Sequence, residues 1–197
     1  MLAEGYSMVA GLDEAGRGPL AGPVVAGVAV LPPNMGGRWV RLVRDSKIMT
    51  RGEREEVFVR LQDAAIALEV GVSSAEEIDD LGIVAATCLA MKRALYSLVL
   101  MPQFLLLDAF PLPGIDIPQK PIIAGDAKCL SIAAASVAAK VTRDRIMEQQ
   151  DERYPDYGFA RHKGYASSEH LRQLERLGPC PIHRYSFSPV SAWGARR

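Results

Sequence analysis

Short apolar runs that stop at an acid recur along this chain, and they restrict its fold more than any other feature. Residues 7–12, SMVAGL, run into Asp13 and Glu14; QFLLLDAF, residues 103–110, carries FLLL into Asp108; PIIAGDAKCL runs into Gly125 and Asp126. Each run reads as a buried strand. An ionised carboxylate is costly to bury without compensation, so strand ends that repeatedly carry acids are expected to converge on something that offsets the charge. In open α/β sheets the strand ends are where sites form. Carboxylates crowded there repel one another unless a cation sits among them, and hard oxygen ligands select Mg²⁺ or Mn²⁺ over zinc. Two such ions roughly 4 Å apart can activate a water and stabilise a leaving 3′ oxygen in phosphodiester hydrolysis. Taken singly, each acid could equally cap a helix or pair with a surface arginine, and Asp45, Asp79, Asp80 and Asp116 read that way.

Between these runs the pattern alternates. PVVAGVAVL, residues 23–31, reads as a second buried strand and ALEVGV as a third, with a helix over 51–63 leading into it. Apolar positions from Ile83 to Leu98 recur at helical spacing and predict a long helix over 75–98. PLPGIDIPQK is too rich in proline for a core element and reads as a loop. SIAAASVAAKVTRDRIMEQQDERY predicts one long helix with Ser131 or a neighbour near its N-cap and a small-residue face suited to close packing. A further helix is expected over 167–177. The order implies an α/β domain whose sheet mixes antiparallel and parallel pairs.

A hydrophobic content of 49% over 197 residues is enough for a substantial core. The formal net charge is zero, which argues against attachment to membranes or nucleic acid by bulk electrostatics. The charge is uneven, however: residues 140–197 carry 11 basic against 7 acidic side chains. Cys88, Cys129 and Cys180 form an odd, scattered set that indicates no disulfide framework, so a reducing cytoplasm is expected. No apolar run approaches the ~20 residues of a membrane span.

The loop after the first acids, GRGPLAG, adds a second theme. Gly16 and Gly18 allow close backbone approach, and Arg17 offers a fork of donors for a phosphate, although a tight turn would use the same residues. Lys140, Arg143 and Arg145 follow SIAAAS; the two arginines read equally as a solvated face, and Lys140 as a partner of Asp144 at i, i+4. Cys180-x-x-His183 has zinc-like spacing but lacks a second pair of ligands, so a turn at GPCP accounts for it better.

Together, GLDEAGRGPLAGPVVAGVAVL, RDSKIMTRGERE, LLLDAF, GDAKCLSIAAASVAAKVTRDR, YGFARHKGYASSEHL and GPCPIHRYSF closely resemble bacterial ribonuclease HII, the type 2 ribonuclease H, in order over nearly the whole chain. The resemblance implies a ribonuclease H-like fold: a five-stranded mixed sheet of order 3-2-1-4-5 flanked by helices, with residues 1–150 as the catalytic domain. Residues 151–197 would form a C-terminal helical extension that contributes substrate contacts. It implies that Asp13, Glu14, Asp108 and Asp126 are the catalytic metal ligands for Mg²⁺ or Mn²⁺. It further implies that Gly16, Arg17 and Gly18 reach a ribonucleotide 2′-OH, that Tyr165 stacks on the neighbouring sugar, and that Asp45, Ser46 and Lys47 lie on a substrate-facing loop, with Lys47 meeting a phosphate. The implied activity is an endoribonuclease acting on RNA:DNA hybrids and on duplex DNA containing ribonucleotides, in the cytoplasm, as a monomer without an obligate protein partner. Tyr185 stands where the family commonly has arginine, which removes a phosphate contact expected there.

Overall fold

β1 (Val9–Ala15) runs through the middle of the sheet and decides where the acids go. In a computed structural model, residues 5–43, 46 and 49–194 are described; Asp45 and Lys47 lie outside them. β1 pairs antiparallel with β2 (Val24–Val30), which pairs antiparallel with β3 (Ala67–Ser73). On its other side β1 pairs parallel with β4 (Phe104–Asp108), and β4 pairs parallel with β5 (Gln119–Ile122). The resulting order, β3-β2-β1-β4-β5, is the one the resemblance implies.

Helices cover both faces. α1 (Arg51–Ala64), α2 (Ala75–Leu81) and α3 (Ile83–Tyr96) lie between β2 and β4 in sequence. α4 (Gly125–Lys128), α5 (Leu130–Arg153), α6 (Phe159–His162) and α7 (Ser168–Leu177) follow β5. Strand alternation sorts the side chains. Leu12, Val24, Ala26, Val28 and Leu107 pack with Met91 and Leu95 of α3, whereas Ala29 packs with α1 and α5. α1 and α2 each begin with a reciprocal capping box, Thr50 with Glu53 and Ser74 with Glu77; each cap is worth about 1 kcal/mol.

The strands and main helices fall close to where the sequence pattern puts them. β5 begins at Gln119, however, inside the stretch read as a loop, where pairing with β4 recruits it into the sheet. Four further local differences occur. β1 continues to Ala15, so Asp13 and Glu14 lie inside the strand rather than beyond its end. The helix expected over 75–98 is two helices ending at Tyr96, because Gly82 adopts φ 79°, outside helical geometry. Asp126 sits in the first turn of α4, not at a strand end, because the chain leaves β5 at Ile122 and turns at Ala124 with φ 53°. The N-cap of α5 is Cys129, two residues before Ser131, and no side chain caps it.

α5 approaches the sheet closely because both surfaces are small. Its Ala133, Ala134, Ala135 and Ala138 are buried, and a Cβ on Gly11 or Gly27 would collide with the α5 backbone at Ser131–Ile132 or at the Ala135 carbonyl. Packing of this kind tolerates no added methyl. Gly27→Ala is expected to lower unfolding stability by about 2 kcal/mol, seen as a lower urea midpoint at constant m-value. An unchanged midpoint would show that the Ala135 carbonyl of α5 does not rest against Gly27.

Candidate active site

Parallel pairing places Leu12 beside Leu107, so the next residue on β1, Asp13, neighbours Asp108 at the end of β4. α4 supplies the third acid. One carboxylate oxygen from each of Asp13, Asp108 and Asp126 lies within 4.8 Å of the others. The turn into α4 is tied to β4 directly: the Gly125 amide donates to Asp108 Oδ1 at 2.7 Å. Asp13 is 2% exposed and Asp126 5%. Asp13 Oδ1 accepts from the Glu14 amide at 2.7 Å, while Oδ2 is buried without a hydrogen-bond partner.

Burial, then the adjacent Glu14 carboxylate, pushes Asp13 up from 3.8 to about 8; Asp108 adds a smaller push in the same direction. Ser136 of α5 and the Glu14 amide offset this only in part. Glu14 stands outside the trio. Strand alternation turns it to the opposite face of β1, where Oε1 accepts from Arg17 Nη1 at 3.3 Å, yet it lines the same cavity. That cavity, about 230 Å³, brings together Asp13, Glu14 and Asp108 with Gly16, Arg17, Gly18, Ser46, Lys140 and Tyr165. A crowded, partly dry set of oxygen ligands with an unpartnered buried oxygen fits a hard divalent cation.

Of the residues expected on the substrate-facing loop, only Ser46 is described. It is buried, its hydroxyl 2.9 Å from that of Ser136. Tyr165 is 46% exposed and lines the cavity. Lys140 pairs with Asp144 at 2.6 Å and still lines the cavity; burial depresses its pKa and the Asp144 contact counters that. Arg143, which read equally as part of a solvated face, is fully buried, donating to the carbonyls of Pro23 at 3.0 Å and Ala21 at 3.2 Å. Arg145 does remain at the surface, paired with Glu55. Cys180 and His183 form a turn in which the Cys180 amide donates to His183 Nδ1 at 2.9 Å. Among the described residues the acidic trio is the one cluster arranged for a metal.

Ser136 was not read as a site residue; its faint signal was a hydroxyl interrupting the alanine face of α5.

The family model for ribonuclease HII matches residues 10–190. The chain belongs to the ribonuclease HII family. Among its relatives, ribonuclease HII of Dehalococcoides mccartyi (strain BAV1) is 49% identical over 187 residues, covering 95% of this chain and 88% of that protein. Ribonuclease HII of Desulfitobacterium hafniense (strain Y51) is 53% identical over 188 residues, covering 94% and 70%. Among solved structures, ribonuclease H2 from Pyrococcus horikoshii OT3 superposes with a TM-score of 0.77 at 31% identity, covering 94% of this chain and 96% of that one. Family membership makes this protein a metal-dependent endoribonuclease with the ribonuclease H-like fold. Among the described residues, no helix is long and apolar enough to cross a membrane.

The raised pKa of Asp13 has a consequence for stability in chelator. Between 3.8 and about 8 the folded protein retains a proton that the unfolded chain has released. Stability of the metal-free protein therefore falls as pH rises through that window. Melting temperatures in EDTA should decline from pH 5 to pH 8, and Asp13→Asn should remove most of that slope. A slope equal in both proteins would assign it to other groups.

Proposed function

We propose that the protein hydrolyses the RNA strand of RNA:DNA hybrids and cuts on the 5′ side of single ribonucleotides embedded in duplex DNA, using two divalent cations, Mg²⁺ or Mn²⁺. The observation that carries this is the single cavity in which Asp13, Glu14 and Asp108, the Gly16–Gly18 turn and Tyr165 meet, with Asp126 grouped beside Asp13 and Asp108. Asp13, Glu14, Asp108 and Asp126 would hold the ions. When bound, divalent cations supply Lewis acidity at the phosphate and lower the pKa of water. The remaining work belongs to the chain. Asp13, central in the trio, keeps one oxygen clear of internal hydrogen bonds. The backbone of Gly16, Arg17 and Gly18 meets the 2′-OH, the group that distinguishes RNA from DNA. Tyr165, half exposed and facing the same cavity, offers a ring for the neighbouring sugar and a hydroxyl toward the 2′-OH. Placing Tyr165 in the cavity is how residues 151–197 contribute to substrate contacts. Asp45, Ser46 and Lys47 extend the substrate surface, with Lys47 at a phosphate.

In the reaction, water adds to phosphorus as the bond to the 3′ oxygen breaks. That oxygen takes up a proton, leaving 3′-OH and 5′-phosphate ends. The protein would act as a monomer.

A duplex with one ribonucleotide, its cut site mapped, tests the proposal. Cleavage 5′ of the ribonucleotide in Mg²⁺, none in EDTA and none of an all-DNA duplex is expected; equal cleavage of the all-DNA duplex would sink it. Asp13→Asn should lose activity by at least about a thousandfold while remaining folded, and full activity in Mg²⁺ would refute its assignment. Tyr165→Phe removes one hydroxyl and should lower cleavage at a lone ribonucleotide by roughly five- to tenfold. If instead only hybrid cleavage changes, the role given to Tyr165 is wrong.

A further inference from the structure

The tail segment after α7 returns to the turn that follows β1 and inserts a fully buried guanidinium behind it. Arg184 Nη2 donates to the Gly16 carbonyl at 2.5 Å, Nη1 to the Arg17 carbonyl at 2.8 Å and Nε to the Gly22 carbonyl at 3.0 Å. Its own amide donates to the Leu20 carbonyl at 2.8 Å, and Gly22 donates back to Ile182 at 2.8 Å. The fork is therefore fixed at its base as well as at its tip. Asp79 of α2 holds the following residues, accepting from the amides of Tyr185 at 3.0 Å and Ser186 at 2.9 Å.

In a trans peptide the C=O and the next N–H point in opposite directions. Carbonyls of Gly16 and Arg17 drawn back onto Arg184 thus turn the N–H groups of Arg17 and Gly18 the other way. Neither N–H has a hydrogen-bond partner among the described residues, and both residues line the acidic cavity. We infer that Arg184 is a positioning residue for ribonucleotide recognition: it fixes the peptide planes of the Gly16–Gly18 turn so that two unpaired amides face the 2′-OH site before substrate arrives. The inference rests on the proposed role of that turn.

The same segment reaches Tyr165. Burial lowers the pKa of both His170 and His183, the latter to about 4, so both are neutral at pH 7. With His183 Nδ1 accepting from the Cys180 amide, its Nε2–H donates to His170 Nε2 at 3.0 Å, and His170 Nδ1–H donates to the Tyr165 carbonyl at 2.9 Å. Residues 183 and 184 therefore grip both halves of the recognition surface, one through the histidine pair and one through the guanidinium. A lysine has the charge but not the fork, and cannot reach three carbonyls in fixed directions.

The test compares Arg184→Lys and Arg184→Gln with wild-type enzyme in Mg²⁺, on a duplex with one ribonucleotide and on a continuous hybrid. A lone ribonucleotide offers one productive register, whereas a hybrid offers a ribose at every step. The ratio of kcat/KM for the lone-ribonucleotide duplex to that for the hybrid is expected to fall about tenfold. A role in folding alone lowers both values by the same factor, so an unchanged ratio in either folded variant overturns the inference. If neither variant folds, backbone relaxation of the wild-type protein decides. Order parameters at Arg17 and Gly18 equal to those of β1 are expected, and lower values overturn the inference. Failure of the wild-type enzyme to cut the lone-ribonucleotide duplex would instead remove the proposed function beneath it.

Discussion

A carboxylate that is nearly buried, has one unpartnered oxygen and sits beside further carboxylates is an electrostatic debt that only a cation or a proton can settle. Asp13 is in that position, and the rest of the molecule is arranged around it. Without metal it keeps its proton to unusually high pH, because burial and Glu14 both disfavour the charge. The fold maintains this condition through backbone geometry. β1 is central, β4 runs parallel beside it, and the α4 turn is hydrogen-bonded to Asp108, so three separate parts of the chain bring their acids to one point.

That arrangement depends in turn on how tightly α5 lies across the sheet. Gly11 and Gly27 on the strands, and alanines on the helix, let the backbones come nearly into contact. The close approach brings Ser136 and Lys140 of α5 to the acids, and Arg143 farther along to the back of the Gly16–Gly22 loop. One helix thus serves as core element, wall of the cavity and support for the loop that follows β1. The buried arginines have no carboxylate partner in these contacts; backbone carbonyls accept from Arg184 and from Arg143 Nε and Nη2, which couples charge burial to the conformation of the loop they hold.

Much of this was legible in the residues. The strands are marked by runs of valine and leucine whose burial needs no partner beyond other apolar surface, and the acids ending those runs identify the site. What misled was local. The stretch 75–98 keeps its apolar spacing through Gly82, so periodicity alone continues a helix that the backbone breaks. Asp126 looked like a strand end because the apolar run continues past Ile122, where the chain has already left the sheet. Arg143 read equally as a surface charge because cations usually are, and nothing in the spacing reveals carbonyls on a distant loop.

By itself, then, the sequence determined the elements and the family and marked four acids as candidates, since these depend on local pattern and on residue type. The tertiary structure decided which groups meet: Asp13 with Asp108 and Asp126, Tyr165 with the Gly16–Gly18 turn, and Arg184 with the carbonyls behind that turn. The physical reason is sequence separation. Arg184 and Gly16 are 168 residues apart, and a hydrogen bond across that interval depends on the whole sheet and α5 being in register rather than on any signal near either residue.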